Sequence, residues 1–211
     1  MSMRYNHLAI EGNIGSGKTT LATMLAKEYD VRLILEKFSD NPFLPKFYKD
    51  PEKHAFPLEL FFMAERYHQL KKNKEQDIFK PQKISDYFFV KSKLFAKNNL
   101  QIDEKQLFDR FFDIIFSSLE NPDLVVYLYS SIDRLKKNII KRGRSFELDI
   151  SKDYLSNIQQ NYLDYLRKQS LFPVLLLDVT NVDFVKDQTV YNSIKRAINN
   201  TYSVGIHKVV L

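Results

Sequence analysis

With 211 residues, 44% of them apolar and 14% aromatic, the chain has room for one domain with a full core, which excludes a disordered polymer. It has no cysteine, which excludes a disulfide framework, a thiolate metal site and a cysteine nucleophile, and which suits a reducing cytoplasm. The net charge of +6 fits a polyphosphate substrate; lysines such as Lys71, Lys72, Lys74, Lys80 and Lys83 are scattered rather than striped, so no nucleic-acid partner is expected.

The N-terminal Met1-Ser2-Met3-Arg4-Tyr5-Asn6 lacks an apolar signal segment, and no run approaches the roughly 18 apolar residues of a membrane span. A cytoplasmic protein without membrane contact is expected. His7-Leu8-Ala9-Ile10 then reads as a short buried strand. It runs into Glu11-Gly12-Asn13-Ile14-Gly15-Ser16-Gly17-Lys18-Thr19-Thr20, which holds three of the chain's five glycines and the spacing G-x-x-x-x-G-K-[ST] of a phosphate-binding loop. Glycines there let successive N–H groups converge on an anion. Gly12, Asn13, Ile14, Gly15, Ser16, Gly17, Lys18, Thr19 and Thr20 are therefore the nucleotide-binding candidates. Lys18 is expected to reach the β- and γ-phosphates and the Thr19 hydroxyl to hold Mg²⁺. Leu21, Met24 and Leu25 follow at helical spacing and add the positive end of a helix dipole. Strand, glycine turn and helix start in that order set the loop apart from a chance glycine cluster.

Four further strands are expected at Val31–Leu35, Lys83–Ser85, Leu124–Leu128 and Val174–Leu177, each short and mostly apolar as buried parallel strands are. Helices are expected at about Glu52–Lys74, with Phe56, Leu60, Met63, Tyr67 and Leu70 on one face, then at Phe88–Lys97, Glu104–Leu119, Ser131–Lys141, Ser151–Lys168 and Asp183–Asn199. Ser131 and Ser151 suit capping positions. The pattern implies an α/β fold: a five-stranded, doubly wound parallel sheet with helices on both faces, in one domain over residues 1–211. The tail from Gly205 to Leu211 is either an extra edge strand or a loose end.

Ligands in such sheets sit at the carboxyl ends of the strands. The polar residues at those ends are Glu36, Asp86, Tyr129 and Asp178. Glu36, followed by the turn-rich Ser39-Asp40-Asn41-Pro42, is placed to take a proton from an attacking hydroxyl; the alternative is a solvated strand end. Asp86 is placed to bind Mg²⁺, or to cap the Tyr87-Phe88-Phe89 segment. Arg142 and Arg144 flank Gly143, and guanidiniums on a closing loop over about 142–150 suit phosphoryl oxygens; the plainer reading is a basic helix end facing the dipole. Among Phe43, Phe47, Tyr48, Phe56, Phe61, Phe62, Phe88 and Phe89, most are expected in the core and a few against a base.

With these residues in place, the chain resembles the deoxyribonucleoside kinase family, especially bacterial purine-type members, from about Leu8 to Asp178. The resemblance rests on the Gly12–Thr19 loop, Glu36, Tyr48-Lys49-Asp50-Pro51, Glu59, Arg66, Asp86, Lys141-Arg142-Gly143-Arg144, Glu147 and Tyr154 taken together. It implies a P-loop kinase fold with an arginine-bearing lid, and transfer of phosphate from ATP with Mg²⁺ to a deoxynucleoside 5′-hydroxyl. It further implies Glu36 as base, Tyr48 and Glu147 on the 3′-hydroxyl, Arg66 near the base and the reacting oxygen, Arg142 and Arg144 over the transferred phosphate, and a helix-paired homodimer.

Three positions depart from the family pattern. Where many members carry an acid-Arg-Ser triplet, this chain has Asp86-Tyr87-Phe88, so Arg66 or a lid arginine is expected to carry the missing charge. Ser92 stands where an aspartate pairs with the base-reading arginine, and Glu59 stands where many members have glutamine. An ionised carboxylate only accepts hydrogen bonds. Guanine offers it two adjacent donors, whereas adenine sets an acceptor nitrogen against it, so Glu59 leans toward guanine. The competing readings are a kinase for another small acceptor, and a nucleotide hydrolase or switch driving a macromolecular partner.

Overall fold

The computed structural model describes residues 3–37, 41–75 and 81–211. Met1, Ser2, Lys80 and the turn expected at Ser39-Asp40 lie outside the described residues, as do the side chains of Lys72 and Lys74.

Strand β1 (His7–Gly12) occupies the middle of a parallel sheet, flanked by β3 (Lys83–Ser85) and β4 (Leu124–Tyr129). Strand β2 (Arg32–Ile34) lies outside β3, and β5 (Pro173–Asp178) lies outside β4. The described residues form six strands rather than the expected five. The sixth, β6 (Gly205–Val210), pairs in parallel with β5 from Pro173–Gly205 to Asp178–Val210 and closes the order β2-β3-β1-β4-β5-β6. The tail left ambiguous by its composition is thus an edge strand. It is partly exposed along its length, which is why it lacks the apolar run of the central strands.

Successive residues of the central strands point to opposite faces. Leu8, Ile10, Val126, Leu128, Leu175 and Leu177 join one core with α1 (Lys18–Tyr29) and α8 (Gln188–Ile198). Ala9, Val125, Tyr127, Val174 and Leu176 join the other with α3 (Pro51–Glu75), α4 (Lys91–Asn99), α5 (Ile102–Phe116) and α7 (Lys152–Lys168). Phe88 and Phe89 belong to this second core, packed on Phe172, Phe112 and Phe116.

The helix starts follow their capping chemistry. Ser131 Oγ accepts from the Arg134 amide at the start of α6 (Ile132–Arg142), and Ser151 Oγ accepts from the Tyr154 amide at the start of α7. Two short elements carry no sequence signal strong enough to be expected: α2 (Leu44–Phe47) and a single 3₁₀ turn at Ser145–Glu147. Helix α4 starts three residues later than expected because Phe88 and Phe89 stay in the connection from β3, and α8 starts five residues later, at an Asp187 cap. The chain leaves β1 toward β2 and β3 on one side and returns to β4 on the other. The carboxyl end of β1 is therefore the switch point of the sheet.

Candidate active site

The phosphate-binding loop sits at that switch point. A Cβ on Gly12 would come within 2.6 Å of Ser16 Oγ and 2.7 Å of the Leu128 carbonyl, so close approach of strand and loop requires glycine. Helix α6 closes in on the loop at Gly15, whose carbonyl accepts from Asn138 Nδ2 at 2.8 Å. Asn13 turns away from the anion position: its Nδ2 donates to the Leu155 carbonyl at 2.7 Å and its Oδ1 accepts from the Ile14 amide. It anchors the loop to α7. Lys18 Nζ donates to the Asn13 carbonyl at 3.0 Å, and its pKa is lowered to about 8, first by burial and then by the charge of Lys91.

Two clefts meet at this loop. One, of about 780 Å³, is lined by Lys18, Thr19, Glu36, Tyr48, Glu59, Arg66, Asp86, Lys91, Asn99, Arg142, Arg144, Glu147 and Tyr154, with Phe47, Phe62 and Phe95 as apolar wall. The other, of about 1320 Å³, is more open and is lined by Gly15, Ser16, Gly17, Thr20, Ser130, Arg134, Lys141 and Phe184. Lys18, Thr19, Arg142 and Arg144 line both. Groups suited to phosphate thus stand where the two clefts join, an arrangement that suits transfer between ligands in each.

Asp86 follows β3 and joins loop to strand. Its Oδ2 accepts from Thr19 Oγ1 at 2.6 Å and its Oδ1 from the Glu36 amide at 2.7 Å. It does not cap α4, which begins behind Val90. Glu36 lies two residues beyond the end of β2. Arg66 grips its Oε1 through Nε at 2.8 Å and Nη2 at 2.6 Å, and Lys91 Nζ donates to its Oε2 at 2.5 Å. Burial alone would raise the Glu36 pKa, but the charges of Lys91 and Arg66, and their hydrogen bonds, outweigh it and hold the carboxylate well below its usual range.

Deeper in the first cleft, Glu59 on α3 is almost wholly buried. Its Oε1 accepts from Asn99 Nδ2 at 2.7 Å, and its Oε2 has no hydrogen-bond partner among the described residues. Burial raises the Glu59 pKa to about 7 against the opposing charge of Arg66 and the bond from Asn99. Arg66 Nη1 donates to Ser92 Oγ at 2.7 Å, so Ser92 meets the guanidinium from the position at which the resemblance sets it in place of an aspartate. Also lining this cleft, Glu147 takes the two arginines that flank Gly143: Arg142 pairs with Oε2, and Arg144 Nη1 reaches Oε1 at 3.1 Å. Tyr48 lies beside them, stacked on Phe146 with ring centroids 6.0 Å apart, and burial followed by the charge of Glu147 raises its pKa.

The expected site residues border the two clefts except Gly12 and Asn13, which shape and anchor the loop from behind, and two of the strand-end residues do not reach them. Tyr129 packs against the second core, and Asp178 Oδ1 accepts from the Thr180 amide. Three residues escaped the sequence reading. Lys91 and Asn99 sit on the cleft-facing side of α4, whose mixture of lysine and asparagine reads as a solvated surface. Glu11 is buried in β1, where it accepts from the Phe88 amide at 2.5 Å and from Tyr162 Oη at 3.0 Å. No helix among the described residues is long and apolar enough to cross a membrane.

The sequence profile of the family described as deoxynucleoside kinase matches residues 8–203. A deoxyguanosine kinase from Bacillus subtilis is 35% identical over 192 residues, covering 89% of this chain and 93% of its own. A deoxyadenosine/deoxycytidine kinase from the same organism is 29% identical, covering 93% and 92%. The structure of a deoxyadenosine kinase from M. mycoides with bound dATP superposes with a TM-score of 0.77 at 25% identity, over 89% of this chain and 98% of that one. The joined clefts, the phosphate loop between them and a match across almost the whole chain lead to one conclusion: this protein belongs to the deoxynucleoside kinase family and is an ATP-dependent kinase.

Proposed function

We propose that the enzyme transfers the γ-phosphoryl group of ATP to the 5′-hydroxyl of a purine deoxynucleoside, with deoxyguanosine preferred, in cytoplasmic nucleotide salvage. The observation that carries the base preference is the buried Glu59 Oε2, an acceptor without a partner among the described residues, beside an Oε1 held by Asn99. Guanine satisfies it with adjacent N–H donors, whereas adenine leaves an acceptor facing an acceptor at a cost of about 1–3 kcal/mol. The 35% identity to a protein named deoxyguanosine kinase supports the same choice.

The smaller cleft receives the nucleoside and the open cleft the nucleotide. Tyr48 and Glu147 hold the sugar, with Glu147 exchanging its arginine partners for the 3′-hydroxyl. Glu36 orients the 5′-hydroxyl and receives its proton late, as the bond to phosphorus forms. The backbone of the phosphate loop and Lys18 hold the donor phosphates, and Arg142 and Arg144, freed from Glu147, close over the transferred group. Thr19 and Asp86 supply an oxygen pair that fits Mg²⁺, an ion that takes its remaining ligands from substrate phosphates and water. When bound, it would neutralise charge on the β- and γ-phosphates.

We further propose a homodimer joined through α5. Leu107, Phe111 and Ile114 recur at i, i+4 and i+7 and are 45%, 44% and 70% exposed, an apolar stripe with no cover in the monomer.

Initial rates with Mg·ATP against deoxyguanosine, deoxyadenosine, deoxycytidine, thymidine and no acceptor test the reading. Deoxyguanosine is expected to give the highest kcat/KM. Pyrimidines alone as substrates would overturn the purine assignment, and ATP turnover independent of acceptor would overturn phosphoryl transfer to a nucleoside.

A further inference from the structure

Glu36 lies among two cations rather than one, and they are held differently among the described residues: the guanidinium of Arg66 by three bonds to two side chains, the ammonium of Lys91 by one. Arg66 spends Nε and Nη2 on Glu36 and Nη1 on Ser92, and its guanidinium packs 5.0 Å from the centre of the Phe62 ring. Lys91 has three N–H donors, and its hydrogen-bond partner among the described residues is Glu36 Oε2. The lysine side chain is 8% exposed and lines the same cleft as Lys18, Thr19 and Asp86. Its backbone amide donates to the Phe88 carbonyl at 2.9 Å, and its ammonium stands 5.5 Å from the centre of the Phe95 ring. The residue following Asp86 cannot reach the site. Tyr87 is fully buried and its hydroxyl points to α3, where it donates to Gln69 Oε1 at 2.9 Å.

We propose that Lys91 is a catalytic residue, the ammonium that bridges Glu36 and the phosphoryl group in transfer and so supplies the positive charge missing at Tyr87. The proposal rests on the reading of Glu36 as the base. In the reaction the 5′-oxygen bonds to the γ-phosphorus, the bridging oxygen leaves with its electron pair on ADP, and the hydroxyl proton passes to Glu36. That proton neutralises the carboxylate that Lys91 was balancing. The ammonium is then left beside the phosphoryl oxygens, where charge is shifting, with donors to spare. A hydrogen bond to Glu36 before transfer is replaced by one to the phosphoryl oxygens during it, so the contact strengthens in the transition state and acts on kcat. Arg66, bonded twice to Glu36 and once to Ser92, is the more firmly held of the two cations.

The test compares Lys91→Met, Lys91→Ala, Lys91→Arg and Glu36→Gln in the full-length enzyme with deoxyguanosine and Mg·ATP, each checked by thermal melting. Lys91→Met is expected to lose on the order of 100-fold in kcat with little change in the KM for ATP, and Lys91→Arg to keep most of the turnover. Added methylammonium is expected to restore part of the activity of Lys91→Ala, a response that a merely structural side chain would not give. A Lys91→Met enzyme with near wild-type kcat overturns the proposal, as does a folded Lys91→Ala enzyme that methylammonium leaves unchanged. Where Lys91→Met melts too low to assay, the methylammonium response of Lys91→Ala and the kcat of Lys91→Arg decide. An Arg variant as slow as Lys91→Ala overturns the bridging role. A near wild-type Glu36→Gln enzyme removes the base reading itself, whereas a slow Glu36→Gln beside a fast Lys91→Met removes only Lys91.

Discussion

Asn99 holds one oxygen of Glu59 and leaves the other open: Nδ2 reaches Oε1 at 2.7 Å, and Oε2 meets no donor among the described residues. The charged neighbours of this carboxyl are Arg66, Lys91 and Glu36, and the hydroxyls of Tyr48 and Tyr154 are close by. Burial has moved the Glu59 pKa up to about 7, into the range of ordinary assays. Below that pH the carboxyl is protonated and offers a donor to adenine; above it the carboxylate accepts from guanine. The deoxyguanosine-to-deoxyadenosine ratio of kcat/KM should therefore climb between pH 6 and 8, by at most roughly 5- to 100-fold for one unpaired acceptor. A flat ratio would contradict the role of Glu59.

The same shift bears on stability. The folded-state pKa of Glu59 lies above its ordinary value, so its contribution is fully present below the ordinary carboxylate range and is lost as the pH rises through about 7. Glu59→Gln removes that titration. In the absence of ligand, its melting temperature is expected to fall less than that of wild type between pH 5 and 8, as scanning calorimetry would record. An equal fall in both proteins would place the pH dependence elsewhere.

How much of this was legible in the sequence depended on how local the signal was. The phosphate loop, Glu36 and the arginines around Gly143 each announce themselves within a few residues, and the central strands β1, β4 and β5 are marked by apolar runs that burial on both faces demands. Strand β6 was not, because an edge strand half open to solvent has no such run. Lys91 and Asn99 are visible only once α4 is placed against α3 and the end of β2, since a lysine in a polar helix looks like solvent surface until its neighbours are known. Glu11 was legible as part of the loop motif but not as a buried carboxylate tying β1 to Phe88 and to Tyr162, 151 residues away in sequence.

Gly12 in the phosphate-binding loop and Gly143 at the end of α6 should respond differently to alanine. Gly143 caps α6 with φ 73°, and a Cβ there meets nothing within 4 Å, so Gly143→Ala is expected to cost only the left-handed backbone penalty of about 1–2 kcal/mol. Gly12→Ala instead drives a methyl group into the Leu128 carbonyl and Ser16, and should abolish nucleotide binding as well as lowering stability. Calorimetric titration with ATP and a thermal melt of each variant separate the two; equal ATP affinity in both would argue against the close fit at Gly12.

Glu147 pairs with both arginines that flank Gly143, and in the proposed function it turns from them to the sugar. Glu147→Gln keeps the size of the side chain but loses the charge that holds Arg142 and Arg144. It should raise the KM for deoxyguanosine more than the KM for ATP, while Arg144→Ala should chiefly lower kcat, by around 10²-fold or more. The reverse partition would exchange the two assignments.

The apolar stripe on α5 gives a prediction at the level of assembly. Sedimentation equilibrium should find a dimer for the wild-type chain, and Leu107→Lys with Ile114→Lys should yield a monomer of undiminished melting cooperativity. A wild-type chain that stays monomeric at micromolar concentration would refute the pairing.

The central claim is that Glu36, at the junction of the two clefts, receives the proton of the acceptor hydroxyl. The direct measurement is kcat for deoxyguanosine phosphorylation by Glu36→Gln, with ATP affinity measured on the same preparation. A fall of about 10²-fold or more with ATP binding intact is the predicted result. A Glu36→Gln enzyme that turns over at the wild-type rate would contradict it.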